Sequence, residues 1–183
     1  MIEVRWHGRG GQGSFTAARL LGLATSVYGG KYSQAFPSFG PERRGAPVLG
    51  FTRISDFKIT DRSELDTCNY VVVLDETLWG ADISQGLKSD SVIIINTKTP
   101  EKYQSETSYS VVGIDATQLA LDHLNLPITN TAMMGALVAI SGMVETDHCK
   151  DAIRDSMNPK IAAKNVNLFE SAYQLVKESY HRE

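Results

Sequence analysis

The stretch that decides the fold is "WHGRGGQGS", residues 6–14, in which Gly8, Gly10 and Gly13 follow the spacing Gly-x-Gly-x-x-Gly. The residues before it, "MIEVRW", alternate apolar and polar side chains, as a half-buried strand does. The residues after it repeat apolar side chains at helical spacing up to about Tyr28, where "GGK" supplies a stop signal. The chain therefore begins with a strand, a glycine turn and a helix, in that order.

The length and composition favour one compact domain spanning residues 1–183. With 183 residues and 42% hydrophobic content, the chain is able to bury most of its apolar surface. Its 18 Lys and Arg against 21 Asp and Glu give a net charge of −3. That balance argues against a protein that coats nucleic acid or an anionic membrane.

Neither a targeting segment nor a metal site is expected. No charged-then-apolar leader precedes the first strand, and no apolar run approaches the roughly 18 residues of a membrane span. Two isolated cysteines, Cys68 and Cys149, are too few for a disulfide framework, a zinc site or an iron–sulfur cluster. The four histidines show no metal-ligand spacing. We therefore expect a cytoplasmic protein without a membrane partner, a metal or a nucleic-acid ligand.

Further strands and helices predict an α/β fold. The strand candidates are 32–36, 48–54, 70–75, 91–96 and 109–115; the helix candidates are 117–124, 130–144, 147–157 and 162–179. Continuous β-branched runs such as "YVVVLD" and "SVIIIN" are typical of strands covered on both faces. The predicted architecture is a Rossmann-like three-layer sandwich with a mostly parallel central sheet and a helical C-terminal part.

The glycine turn favours an anionic ligand. Backbone N–H groups of such a turn and the adjoining helix N-terminus suit phosphate, although a tight turn also needs glycine for structural reasons alone. An NAD site requires an acid after the second strand, and "KYSQAFPS" contains none. Arginines at 43 and 44 leave an NADP site open, whereas the absence of Gly-Lys-Ser/Thr excludes a Walker A site.

A second loop, "SFGPERRGAP" at 38–47, concentrates positive charge in an acidic protein. Arg43 and Arg44 suit bidentate recognition of phosphate or carboxylate. The arginines could equally pair with Glu42 in a solvated loop. Neighbouring Phe36 and Phe39 add a third interpretation, a protein interface, because interfaces are enriched in aromatic residues and arginine.

Several single residues also occupy positions where a ligand or a cap is expected. His7 ends the first strand beside the glycines, but a lone histidine is more often a hydrogen-bonded structural group. Asp75 is interpreted as the cap of the next segment, and Asn130 and Thr131 as caps of a helix rich in small residues. Residues 96–98, at the end of another strand, are candidates for additional contacts with a bound anion. The residues alone reveal no nucleophile, base and orienter set.

Five motifs together resemble a known family. In order, "WHGRGGQG", "QAFPSFGPERRGAPV", "VVVLD", "INTK" and "NTAMMGAL" are similar to the gamma subunits of the 2-oxoacid:ferredoxin oxidoreductases, and the match spans nearly the whole chain. The "FPSFGPERRGAP" form of the second motif resembles the pyruvate class, or the related branched-chain class. The resemblance therefore identifies the chain as similar to the gamma subunit of pyruvate:ferredoxin oxidoreductase.

The resemblance implies a multi-subunit enzyme. Such an enzyme decarboxylates pyruvate oxidatively with coenzyme A, giving acetyl-CoA, CO2 and reduced ferredoxin. Thiamine diphosphate, Mg and iron–sulfur clusters would lie on the alpha, beta and delta subunits, because this chain has no Gly-Asp-Gly motif and only two cysteines. The gamma chain of the family is associated with coenzyme A binding and with packing against the catalytic subunits, so no catalytic residue is expected here.

The implied site combines both loops. The phosphate-facing turn would comprise Gly8, Arg9, Gly10, Gly11, Gln12 and Gly13. Arg43 and Arg44 would add charge or fix their loop against a partner subunit, with Glu42 orienting them. Two alternatives are a purely structural subunit of the same complex and a free-standing NADP-dependent oxidoreductase.

Overall fold

The computed structural model describes residues 1–38 and 44–180 and has a six-stranded sheet at its centre. Its strands are β1 (Ile2–Arg9), β2 (Tyr32–Pro37), β3 (Pro47–Ser55), β4 (Cys68–Val73), β5 (Leu87–Asn96) and β6 (Ser110–Ile114). Their spatial order is β2-β3-β1-β4-β5-β6. Strands β1, β4, β5 and β6 run parallel, and β3 pairs antiparallel with both β1 and β2.

Seven α-helices accompany the sheet in the described ranges. They are α1 (Ser14–Leu23), α2 (Ala81–Ser84), α3 (Pro100–Gln104), α4 (Ala116–Leu124), α5 (Asn130–Ser141), α6 (Thr146–Ser156) and α7 (Pro159–Tyr180). A π-helical turn, Ala24–Tyr28, continues α1, and a 3-10 turn, Glu76–Leu78, follows β4. All six strands thus lie in the first two thirds of the chain, and the described residues after them form helices and their connections.

The predicted fold class, an α/β sandwich with a mostly parallel sheet, is confirmed. All six strand positions were anticipated, with limits that differ by up to four residues. Prediction missed α2, α3 and the 3-10 turn, because segments of three to five residues are too short to show helical periodicity. The single helix expected up to Tyr28 is divided into α1 and the π turn.

The longer helices cover one face of the sheet and form the larger core with it. From β1, Val4 and Trp6 point into this core, where both are fully buried. The indole Nε1 of Trp6 donates to Thr52 Oγ1 at 3.1 Å, so its polar atom is satisfied. Because side chains alternate along a strand, the opposite face of β1 carries the residues between them.

That opposite face is buried although it is charged. Glu3, Arg5 and His7 project there, each 7% exposed. Buried charges are tolerated only when they are paired. Here Arg53 Nε lies 3.2 Å from Glu3 Oε1, and Arg5 donates through Nη2 to the carbonyl of Ile83 at 3.0 Å.

His7 is held neutral inside this charged layer. Its Nε2 accepts a hydrogen bond from Arg5 Nε at 2.9 Å, so a proton on that nitrogen would face the guanidinium. Burial, and after it the charge of Arg5, lowers the pKa of His7 to about 3. The structural interpretation of His7 is therefore confirmed.

This histidine is expected to make the protein less stable in acid. An unfolded histidine titrates near 6.5. Below that pH, His7 therefore binds a proton in the unfolded chain but not in the folded chain. The contribution of His7 is complete above pH 6.5. It then falls by up to about 1.4 kcal/mol per pH unit as the pH is lowered toward 3.

Urea unfolding of the wild type and of His7→Gln between pH 7 and pH 4 measures this effect. Glutamine still accepts from Arg5 but does not titrate, so the variant should lose less stability per pH unit. The pKa values of carboxylates such as Asp61 and Asp147 are also lowered, so their protonation in acid reduces the stability of both proteins by the same amount. Equal pH slopes for the two proteins would contradict the assignment.

Both cysteines lie in the core as free thiols. Burial raises the pKa of the Cys149 thiol to about 12, which leaves it protonated and unreactive. Within residues 1–38 and 44–180, no helix combines the length and apolarity needed to cross a membrane.

Candidate functional site

The glycine turn lies at the carboxyl end of β1 and leads directly into α1. Two of its glycines have backbone angles that other residues rarely adopt: φ is 95° at Gly11 and 82° at Gly13. Gly8 is needed for space, because a Cβ there would lie 3.1 Å from Ser14 Cβ. Among the described residues no side-chain hydrogen bond caps α1, so its N-terminus suits an anionic ligand.

The two loops that the sequence singled out meet in space. Gly10 N donates to Ala46 O at 2.8 Å, and Gly45 N donates to Gly10 O at 3.1 Å. Arg44 forms a parallel bridge with Gly10, and its side chain is exposed. Phe39, Glu42 and Arg43 lie outside the described residues, so their predicted roles stay predictions.

The side chains of Arg9 and Gln12 hold the glycine turn in place through hydrogen bonds. Arg9 Nε and Gln12 Nε2 both donate to Asp75 Oδ2, at 3.2 and 2.8 Å. Gln12 Oε1 in turn accepts from the Arg9 backbone N–H at 2.7 Å, and Arg9 Nη1 reaches Gly45 O at 3.2 Å. These two side chains thus fix the glycine turn to the end of β4 and to the second loop.

Asp75 has a larger role than the capping predicted for it. It does cap the 3-10 turn, because its Oδ1 accepts from Thr77 N at 3.0 Å. Burial alone would raise its pKa, but hydrogen bonds from Thr77 and Gln12 and the charge of Arg9 outweigh that and hold the pKa below its usual value. The hydrogen bonds from the glycine turn to Asp75 join residues more than 60 positions apart, and no local pattern in the sequence predicts them.

The strand order changes where the ribose-binding acid of an NAD site would have to lie. That acid is expected after the second strand of the chain, but β2 pairs with β3 and not with β1. The parallel neighbour of β1 is β4, and the acid at its end, Asp75, is already bonded to Arg9, Gln12 and Thr77. Both oxygens of that acid therefore already accept hydrogen bonds with which a ribose hydroxyl would compete.

A cavity of about 590 Å³ opens beside the turn. Its walls come from the glycine turn, the first residues of α1, and the ends of β2 and β3. The lining residues are Arg9, Gly11, Gly13, Ser14, Phe15, Thr16, Pro37, Ser38, Pro47, Val48 and Leu49. The uncapped helix N-terminus and the apolar wall together suit an anionic group attached to an apolar or aromatic body.

The other predicted ligand contacts are engaged elsewhere. Asn96 Nδ2 donates to Leu74 O at 2.9 Å, and Thr97 Oγ1 donates to Glu76 Oε2 at 2.6 Å. Lys98 lies 3.4 Å from a carboxylate oxygen of Asp115. Within residues 1–38 and 44–180, no cluster of three or more His, Cys, Asp or Glu side chains is arranged to hold a metal ion.

The capping role predicted for Asn130 and Thr131 is wrong. Thr129 is the N-cap of α5, and in the part of the chain that the structure describes no side-chain hydrogen bond caps that helix. Thr131 Oγ1 donates instead to Asn165 Oδ1 on α7, at 2.8 Å. The amide of Asn130 lies against Gly13, which brings the N-termini of α1 and α5 together at the glycine turn.

The small residues of α5 do permit the close approach predicted for them. A Cβ on Gly135 would lie 2.5 Å from the backbone oxygen of Phe169 on α7. This approach is within the chain, between α5 and α7.

Comparisons with known proteins place the chain in a family. The sequence model described as pyruvate ferredoxin/flavodoxin oxidoreductase matches residues 3–175. Pyruvate synthase subunit PorC of Methanocaldococcus jannaschii is 47% identical over 181 residues, covering 98% of this chain and 99% of the relative. The pyruvate/ketoisovalerate oxidoreductases common subunit gamma of Pyrococcus furiosus is 43% identical over 180 residues, covering 95% and 96%.

Solved structures agree with these relatives. The pyruvate oxidoreductase subunit PORC of Thermotoga maritima superposes with a TM-score of 0.83 at 34% identity, covering 94% of this chain and 95% of that one. The 2-oxoglutarate:ferredoxin oxidoreductase of Magnetococcus marinus, solved with 2-oxoglutarate, coenzyme A and succinyl-CoA bound, shares the fold at 18% identity and a TM-score of 0.73, covering 97% and 31%. The resemblance drawn from the five motifs is confirmed, and the chain belongs to the pyruvate ferredoxin/flavodoxin oxidoreductase family.

Proposed function

We propose that the chain is the gamma subunit of a pyruvate:ferredoxin oxidoreductase and that its glycine turn binds the phosphates of coenzyme A. The whole chain, residues 1–183, would act as one gamma domain in the cytoplasm. The observation that carries the proposal is the meeting of the two family motifs, through Gly10 and residues 44–46, at an uncapped helix N-terminus. Coenzyme A has the phosphates that such a helix end attracts and an adenosine body for the adjoining cavity.

The catalytic chemistry would belong to partner subunits. Alpha, beta and delta subunits would hold thiamine diphosphate, Mg and the iron–sulfur clusters and would pass electrons to ferredoxin. Pyruvate is supported as the substrate because the Methanocaldococcus and Thermotoga relatives are named for pyruvate. The name of the Pyrococcus relative adds ketoisovalerate, so a branched-chain 2-oxoacid is the second candidate.

The alternatives make different demands on the same surfaces. A purely structural subunit would use the arginine loop to pack against a partner subunit and would not bind coenzyme A. A free-standing NADP-dependent oxidoreductase would need a ribose contact, and the acid beside the turn is committed to Arg9, Gln12 and Thr77. The gamma role with coenzyme A binding therefore explains more of the site.

The double variant Arg43→Ala/Arg44→Ala, assayed in the reconstituted oxidoreductase, tests the proposal. We expect the KM for coenzyme A to rise about tenfold or more, because each arginine removed costs a charge-assisted contact. Lys58→Ala removes an exposed positive charge just beyond the end of β3 that pairs with the start of β1, opposite to the loop, and is the control. A weakened assembly with an unchanged KM would favour the structural subunit, and no change in either would refute the assignment of the arginines.

A further inference from the structure

The glycine turn lies where the first residues of two helices meet, and each of these residues carries an unused polar group. Ser14 begins α1 and Asn130 begins α5; the two residues are 2% and 5% exposed. Among the described residues, neither Ser14 Oγ nor Asn130 Nδ2 has a hydrogen-bond partner. Since every described side-chain polar atom that is cut off from solvent does have one, these two atoms still reach solvent and can meet a ligand, although the residues that carry them are almost entirely buried.

The orientation of the Asn130 amide is fixed by its other atom. Asn130 Oδ1 accepts from Thr131 N at 2.9 Å, and a nitrogen in that position would have no lone pair to accept with. The donor, Nδ2, is therefore the atom that faces the turn. It lies 2.6 Å from the place that a Cβ on Gly13 would occupy.

Ser14 flanks the turn on the side of Gly8. Its Oγ lies 3.4 Å from the place that a Cβ on Gly8 would occupy, and Gln12 Oε1 lies 3.6 Å from the same place. Gly8 and Gly13 thus let these two side chains approach the turn closely, Ser14 beside Gly8 and Asn130 beside Gly13. Since neither α1 nor α5 has a side-chain cap, both helix N-termini add partial positive charge here.

We propose that Ser14 and Asn130 bind a phosphate group between the N-termini of α1 and α5, as direct ligands that complement the glycine turn. A hydroxyl and an amide N–H are neutral donors, and two helix ends supply the positive charge without a basic side chain. This explains why the side chain of Arg9 can be committed to Asp75 and not to the ligand. The identity of the phosphate, as part of coenzyme A, rests on the proposed function, whereas the phosphate site itself does not.

Asn130→Asp separates binding from folding. The carboxylate keeps an oxygen to accept from Thr131 N, and a negative charge in the first turn of α5 favours that helix. The same charge removes the donor and repels an anion. Because the two helix N-termini offset the cost of burying this charge, we expect the variant to fold, which its melting temperature checks, and its affinity for phosphate ligands to fall at least tenfold.

The probes are inorganic pyrophosphate and coenzyme A, titrated calorimetrically into the full chain and into the assembled oxidoreductase. Ser14→Ala should weaken pyrophosphate binding severalfold. Gln118→Glu, which adds a charge at an exposed position of α4, is the control and should leave that binding unchanged.

Wild-type affinity for pyrophosphate in Asn130→Asp and Ser14→Ala would overturn this inference while leaving the coenzyme A proposal standing if coenzyme A still binds. Pyrophosphate binding that Asn130→Asp removes, without any coenzyme A binding, would support the phosphate site and refute coenzyme A as its ligand. A wild-type chain that binds neither probe in either state would overturn both.

Discussion

Replacing Gly135 by valine is expected to lower the free energy of unfolding by about 3 kcal/mol, near the upper end for an overpacked core. The new Cβ would lie 2.5 Å from the backbone oxygen of Phe169 and 3.2 Å from the backbone nitrogen of Tyr173. Backbone atoms in the middle of α7 cannot move aside like the end of a flexible side chain. The two helices would have to separate, and the fully buried Phe169 would lose part of its packing.

Urea unfolding measured by circular dichroism gives this quantity, and Gly80→Val is the matched control. Gly80 has an extended backbone, with φ 178°, and no atom lies within 4 Å of a Cβ placed there. The control should change the free energy of unfolding by less than about 0.5 kcal/mol. If Gly135→Val were as stable as the control, the close packing of α5 on α7 would be refuted.

Gly13→Ala is expected to damage both stability and ligand binding. With φ at 82°, alanine costs about 1–2 kcal/mol through its backbone alone. Its Cβ would also take the place beside Asn130 Nδ2 and push that amide out of the turn. We expect the affinity for pyrophosphate and coenzyme A to fall at least tenfold in the same variant.

Gly30→Ala separates the two causes. Its φ is 67°, so alanine there has a similar backbone cost, but no atom lies within 4 Å of the added Cβ, and Gly30 follows the π turn at the opposite end of α1 from the glycine turn. Gly30→Ala should therefore lose stability while keeping its affinity for pyrophosphate. Equal losses of affinity in the two variants would mean that affinity falls because the fold is less stable and not because the contact with Asn130 is disturbed.

Local patterns in the sequence were enough to predict the framework. The β-branched runs that became β4 and β5 and the glycine spacing that became the turn are determined by residues near each other in the chain. The alternation in β1 correctly put Val4 and Trp6 in one core. It did not predict that the opposite face of β1 would bury Glu3, Arg5 and His7, because their partners come from β3, α2 and β5.

The sequence predicts the two loops of the site but not the contacts that join them to each other and to the rest of the fold. The two loops were both identified, yet their contact through Gly10 and Ala46 depends on the pairing of β1 with β3. Asp75 was interpreted as a cap and Asn130 as another, because capping is the commonest use of such residues near helix starts. Their contacts with the glycine turn join residues more than 60 and 110 positions apart, and those contacts arise only from the tertiary fold.

The measurement that tests the central claim most directly is a calorimetric titration of coenzyme A, with NADP as the control ligand. It is made on the purified chain, on the thiamine-binding partner subunits, and on the two combined. The account predicts saturable coenzyme A binding that requires this chain, either alone or in the combined sample, and no binding of NADP. Equal coenzyme A affinity for the partner subunits with and without this chain would contradict it.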